Sequence, residues 1–207
     1  MSPGLNRRQF LLAGGVVAVA VTAFGSVGRP DALAGAATAG RPRPSRSHDM
    51  KTAALVAGLE IVAVGAYQAA LDAATAGSLG NVPPAGAAYV KTAMAHHQAH
   101  RDRWNALLQG AGAPIVTAPN ATLQRTVERR LARMKSFRTA ALLARDLEET
   151  AAATYLAAIP TLEGKDAIGL AGSIQVVDMQ HVAILNFVLG EYPVPDVFAR
   201  TKRAARA

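Results

Sequence analysis

An all-α four-helix bundle is the fold this sequence predicts, and three observations predict it. First, a helical motif occurs twice: Leu59, Glu60, Ala63, Tyr67, Ala69, Ala70 and Leu71 return at the same spacing as Leu147, Glu148, Ala151, Tyr155, Ala157, Ala158 and Ile159. Second, each copy is followed by another shared pattern. His97, His100, Asn105, Leu107 and Leu108 are echoed by Asp178, His181, Asn186, Val188 and Leu189. The order, glutamate helix then histidine helix and then both again, is that of a duplicated helical hairpin. Third, the chain is 51% hydrophobic but only 5% aromatic, with alanine dominating. Alanine is the best helix former, and few alternating β-branched runs compete with it.

The 207 residues suffice for one domain with extensions. Asn6, Arg7, Arg8, Gln9, Phe10, Leu11 and Leu12 set two arginines before an apolar stretch running to about Phe24. Ala32-Leu33-Ala34 offers a small-residue cleavage site and Ala37-Thr38-Ala39 a second. Charged, apolar and cleavage regions in that order make residues 1–34 a signal peptide. The arginine pair followed by Phe-Leu resembles the twin-arginine signal, which predicts a protein exported to the periplasm, cell envelope or exterior. Residues 35–48 read as a Pro/Ser/Arg linker.

Helix one is predicted from Asp49, a natural cap, to about Gly77. Asn81-Val82-Pro83-Pro84 breaks the chain, and helix two runs from about Pro84 to Gln109 with Gly110 as its stop. Pro114, Pro119 and Asn120 punctuate a longer connection. A basic helical stretch from about Thr122 to Met134 then leads into helix three, which ends before Pro160. Helix four ends at Leu189, with Gly190 just past it and Pro193 beyond. The domain thus spans residues 49–199, and residues 200–207 form a basic tail. Short links within each hairpin and a long link between helices two and three imply one crossover along the bundle.

The net charge of +8 raises the question of nucleic acid. The charge lies in the tails, however, and residues 51–199 balance to zero. Arg125, Arg129, Arg130, Arg133, Lys135 and Arg138 read as the solvated side of the crossover helix. Phe137 is the one aromatic among them, which does not make a base-stacking surface. With no cysteine, disulfides, Cys-type zinc or iron–sulfur sites and lipid-modified cysteine are excluded. Residues 52–71 are nearly long enough to span a membrane, but Glu60 sits in mid-segment and helices two and three are too polar to accompany them.

Glu60, Val64, Tyr67 and Leu71 share one helical face, and Glu148, Ala152, Tyr155 and Ile159 repeat it. Each glutamate lies on the stripe meant for burial, where a charge must be paired or bind a metal. His97 and His100, like Asp178 and His181, stand one turn apart, a spacing at which two side chains converge on one ion. Tyr67 and Tyr155 are expected as core phenols bonded to the glutamates, and Trp104 as core. His96 and Glu149 are expected to face solvent.

This layout resembles the ferritin-like superfamily of carboxylate di-metal proteins, in which two helices carry a glutamate and two carry a Glu-x-x-His pair. Leu147-Glu148-Glu149-Thr150-Ala151-Ala152-Ala153-Thr154-Tyr155 and Tyr192-Pro193-Val194-Pro195-Asp196-Val197-Phe198 look like exported bacterial ferritin-like-domain proteins. The resemblance covers about residues 50–199. It implies a ferritin-like four-helix bundle whose ligands are Glu60, His97, His100, Glu148, Asp178 and His181. Two positions depart from the pattern: His97 and Asp178 each stand where the family has glutamate. An imidazole nitrogen serves one metal where a carboxylate bridges two, and aspartate reaches one methylene less far. Three imidazoles favour iron, zinc or copper over magnesium or calcium. The expected cofactor is iron, di-iron or mononuclear, with manganese, zinc and copper as alternatives, and the expected chemistry is metal oxidation or peroxide and O2 handling. The competing expectation is a metal-free envelope bundle that works through its surface. Candidate partners are the transition metal ion, the twin-arginine export machinery, a cell-envelope surface and a second copy of the chain.

Overall fold

The computed structural model describes residues 44–205. The expected signal segment 1–34 and most of the expected linker lie outside the described residues. Five α-helices follow in order: α1 (Pro44–Thr75), α2 (Pro84–Gly110), α3 (Ala121–Leu131), α4 (Phe137–Ala158) and α5 (Lys165–Leu189), with a 3-10 turn at Ile159–Thr161. No strand occurs among the described residues. The hairpins α1–α2 and α4–α5 face each other, α1 against α4 and α2 against α5. The crossover carries α3 along α1 and α4.

Helix α1 begins at Pro44 rather than at Asp49. Asp49 is buried and caps a different element. Its Oδ1 accepts from the Glu163 amide at 3.1 Å and its Oδ2 from the Gly164 amide at 2.8 Å. Both amides precede α5, so Asp49 ties the first helix to the start of the last. Gly110 belongs to α2, and the turning residue is Gly112, whose φ of 73° favours glycine. Gly190 closes α5 in the left-handed conformation at φ 84°, as its sequence position predicts.

The core at one end of the bundle is built from Ala53, Val56, Ala57, Trp104, Leu108, Tyr155, Leu162, Ala167, Ala171 and Ile174. Alanines let the backbones close in, and the few large side chains fill what remains. Fully burying one such valine or leucine stabilises by about 1.5–3 kcal/mol. At the crossover, Val127 of α3 packs with Val62, Ala66, Leu143 and Leu147. Asn120 caps α3 by accepting from the Leu123 amide at 2.9 Å, while its own amide donates to the Gly58 carbonyl at 3.0 Å. A side chain at position 58 would put Cβ 3.3 Å from that amide nitrogen, so glycine there lets the crossover lie close.

Arg125, Arg129, Arg133, Lys135 and Arg138 are exposed, and Arg130 pairs with Asp146 at 2.5 Å. The basic run is thus largely a solvated surface. The basic tail does more than trail. Arg203 pairs at 2.9 Å with both Asp146 and Glu149, and the Ala205 amide donates to Thr154 Oγ1 at 2.9 Å. By length and composition Ser47–Thr75 and Lys165–Leu189 are apolar enough to cross a membrane. Both instead pack in the bundle and carry buried acidic groups, Glu60 and Asp178.

Candidate metal centre

Each long helix delivers polar side chains to the middle of the bundle. Helix α1 supplies Glu60 and Tyr67, α2 supplies Tyr89, His96, His97, His100 and Trp104, α4 supplies Glu148 and Tyr155, and α5 supplies Asp178 and His181. Glu60, His97, Glu148, Asp178 and His181 are all buried, and His100 is nearly so with 12% of its side chain exposed.

His97 sits at the centre. Its Nδ1 donates to Glu60 Oε2 at 2.6 Å and its Nε2 to Glu148 Oε1 at 3.1 Å. His100 Nδ1 lies 3.7 Å from Glu60 Oε2 and 3.9 Å from Asp178 Oδ1. His181 Nδ1 lies 3.2 Å from Glu148 Oε1. The two repeated tyrosines cross over: Tyr155 of α4 donates to Glu60 of α1, and Tyr67 of α1 donates to Glu148 of α4. Trp104 Nε1 donates to the Tyr155 hydroxyl at 3.0 Å, and the Tyr89 hydroxyl, 2.9 Å away, donates to that of Tyr67, whose proton is already committed to Glu148.

The electrostatics follow from burial and from these partners. Burial drives the Glu60 carboxyl upward, but the field of His97 and the neighbouring imidazoles outweigh it and hold the group at about 2. Glu148 is lowered further, against the same burial, by His97 and His181. For His97 burial works downward, yet Glu148 and Glu60 raise the imidazole well above its usual range. Asp178 is pushed well up by burial and then by Glu60 and Glu148. Burial and the adjacent carboxylates also raise Tyr67 and Tyr155, so both phenols stay neutral donors. In the metal-free chain a proton on His97 offsets part of the charge of Glu60 and Glu148, and burial favours the neutral form of Asp178.

Some of these atoms have nothing to bond. Among the described residues, the buried side-chain atoms without a hydrogen-bond partner are His100 Nδ1, His181 Nδ1, Glu148 Oε2, both Asp178 oxygens and Arg145 Nε. Five of those six belong to this cluster. An unsatisfied buried polar atom costs about 1–3 kcal/mol, and a concentration of them in one place is compatible with a cation held there. The donor atoms are also close enough for one. Those of His97, Glu148, Asp178 and His181 lie within 4.8 Å of one another, as do those of Glu60, His97 and His100. Ligands at about 2.0–2.2 Å from an ion stand up to about 4.4 Å apart, so small shifts would seat a cation in either group. The residues fit a transition metal.

All six residues expected as ligands are brought together in these two adjoining groups. One neighbour departs from expectation and another was not anticipated. His96 is half-buried rather than solvent-facing: its Nδ1 shares a hydrogen bond with His181 Nε2 at 3.0 Å, and the rings stack at 5.2 Å. Burial and the surrounding His181, His100 and His97 lower its affinity for a proton. Tyr89 carried no expectation, although Tyr89, Ala93, His97, His100, Trp104 and Leu108 form one continuous stripe at helical spacing. That stripe was the available signal.

Residues 48–191 match the sequence profile of a family described as a ferritin-like domain. No curated protein and no solved structure matches the chain.

Proposed function

Because the chain belongs to the ferritin-like domain family, we propose that it is an exported bundle that binds iron or a related transition metal at Glu60, His97, His100, Glu148, Asp178 and His181. The observation that carries the reading is the cluster of buried, partnerless oxygen and nitrogen atoms at the centre of four helices. Such a group is costly unless a cation completes it. Export rests on the paired arginines and apolar stretch of the first residues.

Bound there, iron would supply one-electron and O2 or peroxide chemistry, or would itself be the oxidised substrate. The protein's own part is to hold and screen. Tyr155 fixes Oε1 of Glu60 and leaves Oε2 to His97 and His100, while Tyr67 fixes Oε1 of Glu148 beside His97 and His181 and leaves Oε2 open. Trp104, fully buried beside Tyr155, keeps water from that side. His96 holds Nε2 of His181, which aims the other nitrogen at Glu148. His97 and Asp178 store the protons that a cation displaces.

A second reading has its own observation. His97 joins Glu60 to Glu148, and each carboxylate takes a tyrosine, so much of the network is satisfied without metal. That arrangement suits a metal-free envelope module acting through its surface. Metal analysis by mass spectrometry, on protein purified without chelator or affinity nickel, separates the two. The metal reading predicts about one or two iron, manganese, zinc or copper ions per chain. Less than ~0.2 ion per chain, unchanged after reconstitution, overturns it.

A further inference from the structure

Resting on that metal-binding reading, we propose that His97 is a ligand shared between two ions: its Nδ1 serves an ion held with Glu60 and His100, and its Nε2 serves an ion held with Glu148, Asp178 and His181.

The two donor groups have one residue in common, and it is His97. Its two ring nitrogens face different carboxylates, Glu60 Oε2 at 2.6 Å and Glu148 Oε1 at 3.1 Å. Both carboxylates are held by tyrosines, Glu60 through its far oxygen and Glu148 through the oxygen that faces His97. The ring is pinned as well. Tyr67 stacks on it with centroids 5.6 Å apart and planes at 22°, and His100 meets it edge-on at 5.7 Å and 84°. Turning the ring over would set carbon against the Glu60 oxygen and lose both bonds. With 1% of the side chain exposed, no water takes the place of either partner.

Imidazole chemistry gives this placement its meaning. A carboxylate joins two ions by offering an oxygen to each across one carbon. Imidazole carries a lone pair on one nitrogen and a proton on the other. Once the ring protons have left to solvent as the ions enter, the imidazolate offers one lone pair on each side of an aromatic ring. Each nitrogen then takes a single ion, and the ring carries the coupling between them. At the duplicated position the chain has Asp178, so the two halves of the repeat hold different kinds of link. A shared ring makes the two groups interdependent: an ion seated at one nitrogen fixes the ring for the other. The centre therefore loads as a linked pair rather than as two separate sites.

Copper(II) is the probe that reads this directly. Copper is titrated into the full chain, with bound metal and the electron paramagnetic resonance signal both followed. A shared ring predicts a signal that falls well short of the bound copper once both groups are filled, because the spins couple across His97. His97→Ala, with helical content checked by circular dichroism, is expected to restore the full signal of every copper it binds. It is also expected to weaken uptake about 10- to 100-fold, the scale of loss when a residue supporting a metal site is removed. His97→Gln, closer in volume and lacking a second ring nitrogen, provides the same test if the alanine variant does not fold. His100→Ala leaves the other group intact and should bind one uncoupled copper. Two coppers with additive signals in the wild type, a single copper at saturation, or coupling that survives in the His97 variants would overturn the shared ligand and leave the metal-binding reading standing. No copper bound would remove both.

Discussion

The Glu60 half of the centre and the Glu148 half are built on the same plan with different outer walls. In both, a glutamate accepts from the tyrosine of the opposite glutamate helix, and a histidine of the repeat stands beside it. Behind Tyr155 is Trp104, wholly buried, whereas behind Tyr67 is Tyr89, only half-buried, with half-buried His96 against His181. The sequence partners of Tyr89, His96 and Trp104 at the repeat shift are Leu170, Val177 and Leu185. The phenol–carboxylate brace thus occurs in both copies, while the polar outer wall belongs to α2 alone.

The sharpest way to break this comparison is to remove one glutamate at a time. Glu60→Ala and Glu148→Ala each leave His97 with half its partners and strand a tyrosine hydroxyl. Losing one member of a buried pair costs about 3–5 kcal/mol, so urea denaturation should show losses of that size in both variants. A loss below about 1 kcal/mol in either would contradict the brace assigned to that half.

Acidity sharpens it further. In the metal-free chain the His97 imidazole is raised above 6.5 by Glu148 and Glu60. A group raised on folding lends stability in full below its unfolded value, and that stability is lost as pH rises through the folded one. Metal-free stability should therefore fall as pH climbs above 6.5. Glu60 is lowered from 4.5 to about 2, so its contribution is present above 4.5 and disappears as pH falls toward 2. Metal binding carries the opposite sign to His97: the ion must displace a proton, so uptake should tighten from pH 6 to 8. Denaturation and metal titration across that range check both slopes.

The outer walls come next in size. Trp104→Phe removes the donor to Tyr155 and leaves a small void, for an expected cost of about 1–3 kcal/mol. Tyr89→Phe acts at a half-buried position and should cost about 0.5–1.5 kcal/mol. Equal effects would show that the two walls are not distinguished by burial. Asp49→Ala, remote from the centre, should cost about 0.5–2 kcal/mol through the lost cap on α5. Arg203→Ala, 54% exposed, should fall within about 0–1 kcal/mol.

The duplicated spacing made the helices and the six central residues legible, because the periods of 81 and 88 positions align one helical face with its copy. What repetition did not reach stayed hidden. Tyr89 and His96 have apolar counterparts in the second copy, so only the stripe along α2 marked the tyrosine. Asp49 looked like a local cap, but its partners lie more than a hundred residues away, a distance that no local rule spans. The docking of Arg203 and Ala205 on α4 is likewise a product of tertiary packing.

Anomalous diffraction from crystals of the chain soaked with iron or manganese tests the central claim most directly. The account predicts strong anomalous peaks in contact with Glu60, His97, His100, Glu148, Asp178 and His181. A four-helix bundle with His97 still bonded to both glutamates, and no anomalous peak among these six side chains, would contradict it.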